Sequence, residues 1–120
     1  MSKRKVFEIR PFPQFPPQRV MVNVEKYYST NTLAIELVCV PSEDTPYEEP
    51  YAVITVNLDG TPYGNSQHQS DVRAFVDTNN YPWAEEFLTK NGLAKACGIY
   101  GRSGFCTYPL YEFNLEAFYE

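Results

Sequence analysis

Three groups of residues in this chain of 120 have types and spacings that could do chemistry. Cys97 and Cys106 are thiols, and His68 is the single histidine. A thiol beside an imidazole makes an activated nucleophile for hydrolysis or group transfer. Gly98, Gly101 and Gly104 recur at every third position, with Arg102 between the last two. Successive glycines let backbone amides turn toward one anion, and an arginine would add charge. Asp77, Thr78, Asn79 and Asn80 gather hydrogen-bonding side chains just ahead of Pro82. Ends of strands are where binding sites collect in α/β proteins.

Each group also has a plainer role. No local signature ties His68 to a thiol, and its neighbours Gln67 and Gln69 describe a solvated loop. Phosphate loops place their glycines directly before a helix. Here they follow a helix and lead into a strand, which fits a tight connection that needs positive φ. Asp77 to Asn80 can bond neighbouring amides in a turn and help to cap the next helix. One histidine and no Cys-x-x-Cys leave too few zinc ligands. Pro41, Pro46 and Pro50 divide the acids Glu43, Asp44, Glu48 and Glu49, which lack the spacing of a calcium loop. No catalytic residue, metal or cofactor is therefore expected.

The elements that must position these groups follow from hydrophobic spacing. Val20, Val22 and Val24 alternate with polar residues, as do Leu33, Ile35, Leu37 and Cys39 after the polar Ser29-Thr30-Asn31. Two alternating runs across a short polar turn predict a β-hairpin. Tyr51 to Leu58 predicts a third strand, and Val72 to Val76 a fourth, across a long polar loop at 59–71. Pro82 opens a helix of about ten residues, with Trp83, Ala84, Phe87 and Leu88 on one face. Gly92 closes it in a left-handed cap, with Leu93 set against Leu88. A Gly-punctuated loop leads to the last strand, Tyr108 to Asn114, and Leu115 to Tyr119 form a tail. The fold class is α+β: an antiparallel sheet of about five strands with one short helix packed on one face.

Residues 1–120 form a single domain, with a basic, Pro-rich arm at 1–19 and a compact core at 20–114. Lys5 to Arg10 has strand composition. Four prolines between Pro11 and Pro17 favour an extended connector. Arg10-Pro11-Phe12-Pro13-Gln14-Phe15-Pro16 also matches a cation-led polyproline ligand for aromatic grooves.

Charge is uneven. The arm holds five basic residues against one acid, and the rest of the chain five against fourteen. An acidic body is poorly suited to gripping phosphates, so direct nucleic-acid binding is not expected. No apolar run approaches the ~18 residues that cross a bilayer. No apolar stretch follows the first charges, so a cytoplasmic chain with reduced thiols is expected. Ten Tyr and eight Phe suit a half-exposed sheet or a recognition surface.

The runs VDTNNYPWAEEFLTKNGLA and GRSGFCTYPLYEFNL resemble a family of small acidic proteins of unknown function. That family occurs on conjugative elements, plasmids and phages of Gram-positive gut bacteria. LAIELVC and YAVITVNL fit the same pattern, so the resemblance covers residues 33–114. It brings no catalytic residue. It implies a cytoplasmic, bacterial accessory protein. The resulting expectation is a non-enzymatic protein that binds another protein through Asp77, Asn79, Asn80, Tyr100 and Arg102. The alternatives are an acidic mimic of DNA that inhibits a nucleic-acid enzyme, and a small Cys-dependent enzyme using Cys97 or Cys106.

Overall fold

The computed structural model describes residues 3–58 and 68–120. Among these, the chain order is β1 (Phe7–Ile9), β2 (Gln18–Lys26), β3 (Leu33–Cys39), β4 (Glu49–Val53), β5 (Thr55–Val56) and β6 (Arg73–Val76). Then come α1 (Ala84–Lys90), β7 (Ala94–Ser103), β8 (Cys106–Phe113) and a 3-10 turn at Leu115–Phe118. The strands make two four-stranded antiparallel sheets, ordered β1-β2-β3-β4 and β5-β6-β8-β7. The α+β class stands, with two sheets of four strands in place of one of about five. Residues 59–67 of the expected long loop lie outside the described residues.

The hairpin predicted across Ser29-Thr30-Asn31 joins β2 to β3, with Val22 opposite Leu37 and Lys26 opposite Leu33. The strand predicted from Tyr51 to Leu58 is instead broken. Ile54 separates β4, which pairs with β3, from β5, which pairs with β6. The Ile54 amide donates to the Ile35 carbonyl at 3.1 Å, and its carbonyl accepts from the Asp77 amide at 2.8 Å. One residue is thus bonded to the first sheet through its N–H and to the second through its carbonyl.

A second correction concerns the glycines. The expected loop after the helix is strand β7, which turns at Gly104 into β8. Gly98 has φ 76°, within the irregularity between Ala96 and Tyr100 where β7 carries extra residues relative to β8. A bulge of this kind needs a left-handed residue, which glycine adopts without strain.

The Pro-rich tract also differs from the extended connector. The Phe15 amide donates to the Phe12 carbonyl at 3.1 Å, and the two rings meet edge to face at 6.2 Å. The tract is a knob that presents two phenyl rings to solvent.

The main core lies between the first sheet, the second sheet and α1. Phe7, Val22, Ile35 and Leu37 enter from the first sheet, Val76 and Phe113 from the second, and Ala84, Phe87 and Leu88 from the helix. Phe118 of the 3-10 turn is fully buried there. A second cluster, Leu58, Phe75, Tyr108 and Leu110, lies on the other face of the second sheet. Gly101 stands beside it: a Cβ at this position would meet Leu58 Cδ1 at 2.5 Å.

Seven residues are too few for a helix to be stable alone, so α1 depends on that buried face. Its end follows the sequence prediction. Gly92, with φ 67°, donates to the Thr89 carbonyl and Leu93 to the Leu88 carbonyl at 2.9 Å, the paired bonds of a Schellman motif. Its start does not. Trp83 occupies the N-cap position with no side-chain cap bond. Of the two roles expected of the Asp77 turn, bonding of neighbouring amides is met and capping is not: the Asp77 carboxylate accepts from the Asn80 amide at 3.0 Å and from Asn80 Nδ2 at 2.9 Å.

Candidate functional site

Half-exposed aromatic rings gather where α1 begins. Tyr81 and Tyr51 lie 5.6 Å and 6.2 Å from Trp83, centroid to centroid. Trp83 in turn contacts Phe87 at 6.3 Å, and Phe87 meets Phe7 edge to face at 5.9 Å. The chain of rings runs from the surface into the core: Tyr51, Tyr81 and Trp83 are half-buried, while Phe87 and Phe7 are buried. The sequence Tyr81-Pro82-Trp83 sets two rings two residues apart across a proline. Pro82 lies in the turn before the helix, and both rings are half-buried, packed against the edge of the main core.

Beside Trp83 a groove of about 220 Å³ runs between α1 and the outer edge of β1. Trp83, Phe87 and Ile9 supply its apolar lining. Its charges are balanced: Glu8 and Glu86 against Arg10 and Lys90, all exposed. The knob of Phe12 and Phe15 follows directly after Arg10, whose Nη1 donates to the Pro13 carbonyl at 3.4 Å. Phe12 and Phe15 are 58% and 60% exposed. An apolar floor under a charged rim is the usual anatomy of a protein-docking patch, and Trp, Tyr and Arg are its strongest anchors.

A larger groove of about 530 Å³ borders Gly92, Ala94, Lys95, Glu112, Phe113 and Asn114. Its carboxylate, Glu112, is already held by Arg73 at 3.2 Å and Lys95 at 3.6 Å. That leaves it poorly disposed to take a further charged group.

The residues singled out from sequence fall into two places. Asp77 is buried and bonded to Asn80, and its charge acts on Tyr27 and Tyr108. Asn79 and Asn80 are exposed and lead into Tyr81. Tyr100 and Arg102 sit on β7 opposite Pro109 and Thr107. Tyr100 is not among the residues that line the groove beside Trp83. Burial, then Glu85 and Tyr100, raises the Tyr111 phenol above its ordinary value. The groove at β1 was not foreseen. Its signal was the pair Phe7 and Ile9 alternating with Glu8 and Arg10.

All three cysteines are free and half-buried. Burial, and then Glu49, pushes the Cys39 thiol up, opposite to the lowered pKa that makes a thiolate reactive. Among the described residues no three His, Cys, Asp or Glu side chains are grouped to hold a metal ion. None of their helices is long and apolar enough to cross a membrane.

Residues 21–120 match the model of a domain of unknown function, DUF4313. The chain belongs to the DUF4313 family. The DUF4313 match starts within β2 and takes in Trp83, Tyr81, Tyr51 and all of α1. It leaves out β1 and the knob, so one wall of the groove comes from outside the DUF4313 region. Neither the curated proteins nor the solved structures return a match.

Proposed function

We propose that this DUF4313 protein is a non-enzymatic accessory protein of a mobile genetic element that binds another protein in the bacterial cytoplasm. The element and the compartment rest on the resemblance of Val76 to Ala94 and of Gly101 to Leu115. Protein binding rests on one observation: Trp83, flanked by Tyr51 and Tyr81, stands half-exposed beside a groove with a charged rim. The exposed Asn79 and Asn80 extend this surface along the chain. Tyr100, at 64% exposure, and Arg102 offer a second patch on β7.

A photo-crosslinker placed at Tyr81, in the bacterial host, tests this. The expected result is one identified partner whose crosslink disappears with Trp83→Ala and survives Tyr100→Ala. A crosslink pattern unchanged by Trp83→Ala removes the proposed surface. An acidic mimic of nucleic acid draws less support. Glu48, Asp71 and Glu112 each sit against a basic side chain, which breaks up a continuous negative track.

A further inference from the structure

The Trp83 groove has a volume, a charge pattern and a neighbour that together specify an occupant. Its 220 Å³ lies below the roughly 300–1,000 Å³ of sites that enclose small organic ligands. That is room for a side chain or two. Its rim carries two acids and two bases, which gives no preference to a partner of single sign. A second copy carries the same two acids and two bases, so its rim brings no net charge against this one. Immediately after Arg10, the same surface presents Phe12 and Phe15, already folded into a knob by their turn and ring contact. Exposed aromatic pairs of this kind mark association surfaces. A preformed knob loses little conformational entropy when it binds.

We infer that the Phe12–Phe15 knob of one copy seats in the Trp83 groove of a second copy, reciprocally, to form a two-fold dimer. This rests on the Trp83 surface being a protein-docking site and names its occupant. Trp83 is the only tryptophan, so its fluorescence reports the groove directly. Burial of its ring by the partner's phenyl groups shifts its emission to the blue as concentration rises.

The test follows mass by analytical ultracentrifugation, and Trp83 emission, from low to high micromolar protein. The wild-type chain is compared with the double variant Phe12→Ser/Phe15→Ser. Both residues are exposed, so circular dichroism is expected to be unchanged. The expected result is a dimer whose formation accompanies the blue shift, and which the double variant weakens at least about tenfold, a loss typical of aromatic anchors. Two results overturn the inference. One is a monomer with constant emission throughout. The other is a dimer that the double variant leaves unaltered. A monomer that still crosslinks to another protein at Tyr81 overturns the dimer and leaves the docking function standing.

Discussion

A methyl group added to Gly101 would stand 2.5 Å from Leu58 Cδ1 and 2.9 Å from two Phe75 ring carbons. At Gly98 nothing lies within 4 Å, but φ is 76°. Alanine at either position should destabilise for a different reason. Gly101→Ala overpacks, at about 1–3 kcal/mol. Gly98→Ala strains the backbone, at about 1–2 kcal/mol. Urea unfolding separates them: Leu58→Ala should recover part of the Gly101→Ala loss and none of the Gly98→Ala loss. Recurrence at every third residue is visible in the sequence. It does not reveal which glycine serves an angle and which serves a space, because both demands select the same residue. Tyr108 makes a second residue-scale prediction. Burial, then the Cys106 side chain, then the Asp77 carboxylate push its phenol up to about 12. The folded chain therefore holds this proton more tightly than the unfolded chain, whose tyrosines titrate near pH ~10. The stabilisation is complete below about pH 10 and is lost as pH rises from there toward 12. Denaturant unfolding across that range should show falling stability, with a shallower fall in Tyr108→Phe.

α1 was the element most legible in advance. Its apolar spacing, Pro82 and Gly92 are each local signals, and the Schellman bonds at Thr89 and Leu88 match them. Gly92→Ala would force an L side chain to φ 67°, and should cost about 1 kcal/mol in thermal or chemical unfolding. The helix start was less legible. Asp, Thr and Asn ahead of a proline suggest a cap, but the Asp77 carboxylate is spent on the Asn80 amide three residues away. β7 was hidden for another reason. Its glycines lower strand propensity, and hairpin pairing with the adjacent β8 overrides this. The candidate surface was half legible. The spacing of Trp83 puts it on the apolar face of the helix and Lys5 to Arg10 has strand composition, but nothing local says that this strand lies beside that helix.

At the scale of the whole molecule, the basic arm and the body are one piece. Phe7 and Ile9 are buried, Lys5 donates to the Phe118 carbonyl at 2.8 Å, and Arg4 bonds Asn23 and Glu48. Each buried large apolar side chain contributes roughly 1.5–3 kcal/mol, against a total stability of about 5–15 kcal/mol. A chain shortened to residues 21–120, the extent of the family match, should therefore melt at markedly lower temperature and lose near-ultraviolet circular dichroism before far-ultraviolet signal. Retention of the full melting temperature would show that β1 is dispensable. The division into two sheets was not legible, because Tyr51 to Leu58 is one uninterrupted apolar alternation. No glycine or proline marks the place where the partner changes.

That place is Ile54, and it leaves the molecule without a seam. A pull that lifts β4 from β3 is carried through the backbone of Ile54 to the Asp77 amide, at the corner that ends β6. Stretched from its two ends in a force-extension experiment, the chain should rupture in a single event rather than shed one sheet and then the other.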